Sequence, residues 1–122
     1  LMHREVISAT SDTPLSNLVA LMREKRIDAV PILDDGRLAG IVATLDIALV
    51  PESKWPDTLA GSVMTKKLVT SFSRESLYEA LTKMVRSNIS HLPVVAEDDP
   101  VRLIGIITIN DIARSYSLMG VT

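Results

Sequence analysis

The chain has 122 residues, 47% of them apolar and 23% charged, with a formal net charge of −2 and no cysteine. That balance belongs to a chain that folds around a core, while weak acidity and only one Trp, two Tyr and one Phe argue against nucleic acid, whose binders concentrate Lys, Arg and aromatic platforms. Without cysteine there is no disulfide framework, thiolate nucleophile or thiolate metal site, which suits an intracellular setting.

No apolar run reaches the roughly 18 residues that span a bilayer, since the stretch 41–50 is broken by Asp46. The opening residues Leu1-Met2-His3-Arg4-Glu5 lack the basic-then-apolar order of a signal peptide.

In chain order, residues 6–10 read as extended and lead into a helix. Thr13-Pro14 marks its start: threonine caps the free amides and proline takes the first helical position, where its missing donor costs nothing. Leu15, Leu18, Val19 and Met22 then recur at helical spacing and define one buried face. A buried strand is expected over 29–33, a hairpin at Asp35-Gly36 and a second strand over 38–43, passing into a short helix that begins near Asp46. Residues 51–61, broken by Pro51, Pro56 and Gly61, read as a linker in which Trp55 either packs on the domain, the favoured reading, or marks a surface used by a partner. The order then recurs: an extended stretch over 68–72, a helix carrying Leu77, Ala80, Leu81, Met84 and Val85, strands over 91–95 and 103–108, and a short helix near Asp111.

This recurrence is a repeat. A shift of 62 positions lays Met2 on Met64, Leu15 on Leu77, Met22 on Met84, Ile27 on Ile89 and Pro31 on Pro93. Past the second strand the shift is 65, placing Gly40-Ile41 on Gly105-Ile106 and Asp46-Ile47-Ala48 on Asp111-Ile112-Ala113. A register held through strands, helices and turns is far more specific than any short motif. The fold class is therefore mixed α/β (α+β), with β-α-β-β-α units at 1–50 and 62–122 joined by the linker 51–61. A repeat element already under way at Met2 suggests a piece of a longer protein.

Val30-Pro31-Ile32-Leu33-Asp34 followed by Gly40-Ile41-Val42, and Leu92-Pro93-Val94-Val95 followed by Gly105-Ile106-Ile107-Thr108-Ile109-Asn110-Asp111-Ile112, resemble the tandem CBS-domain pair, or Bateman module, over nearly the whole chain. The resemblance implies two units packed sheet to sheet about a pseudo-twofold axis, with clefts for an adenine nucleotide (AMP, ADP or ATP). It also implies a homodimer in which the ligand biases an attached effector domain. The joining residues 49–69 and the run Asp111-Ile112-Ala113-Arg114-Ser115-Tyr116 most resemble the C-terminal region of prokaryotic chloride-channel proteins, which would make this the cytoplasmic, cytosolic part of a membrane channel or transporter.

The residues make part of the case for a cleft themselves. Thr108 at a strand end and Asp111 three residues later meet at a helix N-terminus, where free amides suit a phosphate and a carboxylate accepts from ribose hydroxyls. By the resemblance, Asp111 holds the ribose, Thr108 supports the sugar or phosphate, and Asn110 lies between them in the same motif. The strand surface near Pro93 covers the base, and His91 contacts phosphate and makes binding pH-sensitive. The first copy keeps Asp46 but has Ala43 and Ala29 where the second has Thr108 and His91, and Thr44 is one position out of register. Unequal sites are expected, with the Asp111 cleft the working one. In this family each cleft borrows the opening segment of the opposite copy, so His3 would face Asp111 and Thr65 would face Asp46.

Plainer readings stand beside these. Asp46 and Asp111 suit helix caps, Gly40 and Gly105 suit close packing, Met22, Met64 and Met84 suit core filling, and Lys66-Lys67 and the run 23–26 suit solvated faces. Two histidines, no Gly-x-Ser-x-Gly, no phosphate-cradling glycine loop and no His-Glu-x-x-His assemble no catalytic or metal constellation. The expectation is a non-enzymatic regulatory module with no required cofactor; the alternative is a structural dimerisation module whose ligand sites have decayed.

Overall fold

The computed structural model describes residues 6–118, with side chains as far as residue 114. The chain divides into two compact units, one over Ile7–Leu68 and one built from Val69 onward.

Of the extended stretch 6–10, Val6 belongs to the second unit, and residues 7–10 make a single parallel bridge in the first, Ala9 to Ile32, because a turn begins at Ser11. Helix α1 (Leu15–Lys25) buries Leu15, Leu18 and Met22. Thr13 does not cap it. Its amide donates to the Thr10 carbonyl at 3.1 Å and its hydroxyl accepts from the Thr10 amide at 3.3 Å, so both groups are spent closing the preceding turn. Pro14, still extended at φ −62° and ψ 145°, is the boundary residue rather than the first helical one. The free Leu15 amide is met from far along the chain, donating to the Thr58 carbonyl at 2.8 Å.

Strands β1 (Ala29–Asp34) and β2 (Arg37–Ala43) pair antiparallel. Asp35 and Gly36 turn between them at φ 52° and 75°, the two positive values that a two-residue hairpin needs to match strand twist. Helix α2 (Thr44–Ala48) follows directly. Leu15, Leu18, Met22, Val30, Ile32, Val42, Ile47 and Ala60 form the core.

Residues 51–61 are not a loose tether. They form a 3₁₀ turn (Glu52–Asp57) and lead into helix α3 (Ala60–Val63), which contributes Ala60 to the core. Trp55 packs against that core as expected, with its indole Nε1 donating to the Val50 carbonyl at 2.9 Å. Thr65 then pairs antiparallel with Ile41 through bonds of 2.8 and 3.1 Å, adding a rung to the outer edge of β2. Gly40 makes room for this: a Cβ there would lie 2.7 Å from the Met64 sulfur and 2.8 Å from the Thr65 carbonyl oxygen.

In the second unit the order is β3 (Ser71–Phe72), β4 (His91–Ala96) and β5 (Asp99–Thr108), β3–β4 parallel and β4–β5 antiparallel. β5 starts earlier than the sequence pattern suggests because its first residues pair back across the turn, Asp99 opposite Ala96. Helix α4 (Leu77–Ser87) opens with a reciprocal box in which the Ser76 hydroxyl accepts from the Glu79 amide at 3.1 Å and Glu79 Oε1 accepts from the Ser76 amide at 3.3 Å. Helix α5 (Ile109–Leu118) follows β5. Ala80, Met84, Leu92 and Ile112 make its core.

Beside this core, Glu75 Oε1 accepts from Lys83 Nζ at 2.6 Å and from the Phe72 amide at 3.2 Å, while Lys83 also donates to the Thr70 carbonyl at 2.9 Å. Burial opposes ionisation of Glu75, but the bonds from Lys83 and Phe72 outweigh it and hold the carboxyl below its ordinary value of 4.5. The pair ties β3 to α4.

Candidate functional site

The β4–β5 register sets His91 directly opposite Thr108 and Pro93 opposite Ile106. Opposed residues of an antiparallel pair share a face, so His91 and Thr108 stand side by side where the ladder ends and α5 begins. Asp111 occupies the third position of that helix and is 8% exposed. Its Oδ2 accepts from the Thr108 amide at 3.0 Å, and the Thr108 hydroxyl accepts from the Asp111 amide at 3.1 Å. The carboxylate is thus no N-cap; it reaches back to the cap residue.

This bonding does not close the site chemically. A hydroxyl that accepts still has its hydrogen to give, and a carboxylate accepts up to about four bonds. His91 is half-buried, with Nδ1 3.4 Å from the Ser90 hydroxyl in a contact whose direction depends on the tautomer. Asn110 is exposed in the first turn of α5. Pro93 is fully buried and presents no accessible surface of its own. His3 lies outside the described residues.

The first unit repeats the frame with less chemistry. Ala29 stands opposite Ala43, and Asp46, again third in its helix, accepts the Ala43 amide at 2.8 Å through Oδ2. Alanine has no acceptor to return the bond. Thr44 does not substitute, since its hydroxyl donates to the Asp28 carbonyl at 3.1 Å. Thr65, exposed, sits beside Ile41 on the strand that leads to Asp46.

Two features escaped the sequence. The box Ser76-x-x-Glu79 was readable as a helix start. A cavity of about 400 Å³ between α1, α2 and Trp55 was not, because it is made by residues 51–61 folding back; the lone Trp55 in the linker was its only signal. Among the described residues no group of three or more His, Asp or Glu is placed to hold a metal ion, and no helix is long and apolar enough to cross a membrane.

A duplicated helix-strand-strand-helix unit, with a carboxylate reaching back to the same helix start in each copy, defines a tandem-repeat module. The family model of the CBS domain matches residues 1–52 and 60–118, and the chain belongs to that family. The CBS domain pair of protein MJ0100, solved in complex with 5′-methylthioadenosine and S-adenosyl-L-methionine, is 28% identical, with a TM-score of 0.84 over 97% of this chain and 93% of that one. CBS domain-containing protein YhcV of Bacillus subtilis is 28% identical over 92% of this chain and 79% of its own. The choline transport ATP-binding protein OpuBA of the same organism is 27% identical over 88% of this chain, which spans only 27% of that protein's length. The chain likewise spans 37% of the uncharacterized protein MJ1232 and 22% of the L-aspartate semialdehyde sulfurtransferase of Methanocaldococcus jannaschii.

Proposed function

We propose that the chain is a regulatory, non-catalytic module that binds an adenine nucleotide or a related adenosine compound and passes its occupancy to an attached domain. The observation that carries this reading is the joint placement of Asp111, Thr108 and His91 at the end of the β4–β5 ladder. The adenosine compounds on the MJ0100 pair support it. In this reading Asp111 accepts from the ribose hydroxyls, Thr108 and the positive dipole end of α5 support the sugar or phosphate, and His91 meets the phosphate. Asn110 and, from the opening segment, His3 complete the cleft, while Pro93, buried beneath the strand surface, backs it without touching the ligand. Asp46 and Thr65 define the weaker second cleft.

The repeats 1–50 and 62–122, joined by 51–61, act as one cytoplasmic module in a homodimer. The attached domain is a membrane channel or transporter of the chloride-channel kind or, as the OpuBA match suggests, the ATP-binding part of a transporter. Ligand shifts such a module only by its difference in affinity between two states.

Thermal unfolding with AMP, ADP, ATP and S-adenosylmethionine tests the reading, because a ligand at 100 times its Kd stabilises the native state by about 2.7 kcal/mol. Asp111→Asn keeps an acceptor for the Thr108 amide but removes the charge. One nucleotide raising the melting temperature of the native chain, with the rise lost in Asp111→Asn and kept in Asp46→Asn, is the expected result. No rise with any of the four at millimolar concentration would replace this reading with the dimerisation module, which the alanines at 29 and 43 already favour for the first copy.

A further inference from the structure

We propose that the first unit carries a second, independent binding site, for a compact apolar monocarboxylate, in the cavity between α1, α2 and Trp55. Its volume of about 400 Å³ falls in the range of small-molecule sites, roughly 300–1,000 Å³. Six of its eight lining residues are apolar, so the body of the ligand must be apolar too. Val19 and Met22 come from α1, Ile47 from α2, and Trp55 from the 3₁₀ turn. Trp55 has already spent its one polar atom on the Val50 carbonyl, which leaves the cavity an indole with no donor to satisfy.

The two polar lining residues differ. Thr44 has committed its hydroxyl hydrogen to the Asp28 carbonyl, so it adds no donor. Arg23 is exposed at the cavity and no lining residue is acidic. The one charge that lines the cavity is therefore a cation, whose planar fork matches a carboxylate.

The duplication shows that this cation is not required by the fold. The repeat offsets place Val19, Met22 and Ile47 on Leu81, Met84 and Ile112, all apolar, but Arg23 on Val85 and Thr44 on Ile109. Val85 is 68% exposed in the second unit, so the scaffold accepts an apolar residue at this very position. The apolar walls are common to both copies, whereas the cation and hydroxyl belong to the first alone. The site requires neither Asp111 nor the nucleotide reading.

Trp55 is the sole tryptophan, so its emission reports on this cavity directly. The test is a titration of the 122-residue chain with octanoate at fixed ionic strength, beside octanol as the neutral probe with the same apolar body. The expected result is a saturable change in Trp55 emission with octanoate, about fivefold weaker binding of octanol, and loss of that preference in Arg23→Met. Circular dichroism of Arg23→Met checks that it folds. Absence of a saturable change with millimolar octanoate, equal binding of the two probes, or an unaltered preference in Arg23→Met would overturn the proposal. So would ligand-free emission that depends on chain concentration, because a second copy of the chain would then be filling the cavity.

Discussion

Thr108 and Asp111 bond each other twice, backbone of each to side chain of the other, at 3.0 and 3.1 Å. Ala43 and Asp46 manage only the backbone half, at 2.8 Å. Losing a side-chain cap costs about 1 kcal/mol. Thr108→Ala is therefore expected to lower unfolding free energy by about that amount and Thr108→Ser to restore most of it. Ala43→Thr supplies the missing acceptor and is expected to stabilise by up to about 1 kcal/mol. Urea unfolding of the three variants reads these changes as shifts of midpoint at constant slope.

Gly40 and Gly36 are needed for different reasons, and alanine separates them. At Gly40 the new methyl meets Met64 and the Thr65 carbonyl, and backbone cannot rotate away as a side chain does. Overpacking of this kind costs about 1–3 kcal/mol and here also loosens the rung between Ile41 and Thr65. Gly36→Ala meets nothing within 4 Å but must hold φ near 75°, a strain of about 1 kcal/mol. Amide exchange at Thr65 is expected to quicken in Gly40→Ala and to stay unchanged in Gly36→Ala.

Glu75 makes stability depend on acid pH. Its folded carboxyl sits below the ordinary value of 4.5 despite burial, so its contribution is present above 4.5 and lost as pH falls through the folded value. Glu75→Gln is expected to be less stable than the native chain at neutral pH and to converge with it in acid. Lys83→Met removes the strongest opposing bond and leaves only the Phe72 amide and Ser71 against burial, so the carboxyl is expected to rise and the acid dependence of stability to shrink. With Lys83 34% exposed the pair is partly screened, and its removal is expected to cost about 1 kcal/mol. Urea midpoints taken at neutral and acid pH check both outcomes.

The first core rests on α1. Leu18 is fully buried there, and Leu18→Ala is expected to cost about 2–5 kcal/mol, the range for a leucine truncated in a packed interior. Leu49, 77% exposed on the residue that ends α2, gives the contrast: Leu49→Ala is expected to change stability by less than about 0.5 kcal/mol.

Local pattern carried most of the fold into the sequence. The hairpin at Asp35-Gly36, the helical spacing of Leu15, Leu18 and Met22, and the paired strands around Pro31 and Pro93 depend on near neighbours and were legible. What depends on distant chain was not. Thr13 looked like a cap until the Thr58 carbonyl took the Leu15 amide, and residues 51–61 looked like a linker until Ala60 joined the core and the segment around Trp55 folded back against it. Lys83 reaches Glu75 across the start of α4, and no helical periodicity announces a partner that lies before the helix. At the candidate site, the spacing of Thr108 and Asp111 was readable because the contact spans one turn. The burial of Pro93 was not, since β-strand alternation names a face without saying what covers it.

Helix α1 ends on Arg26 and helix α4 on Asn88, at φ 55° and 53°. Both hold the left-handed conformation that glycine takes without penalty, and they lie at matching places in the two repeats. Within one molecule, then, a dihedral angle has outlasted the amino acid that carries it. Chain direction at these corners is the same in both copies, while the side chains that carry it differ. A duplicated gene under that rule keeps its geometry in both halves while either half is at liberty to change its chemistry.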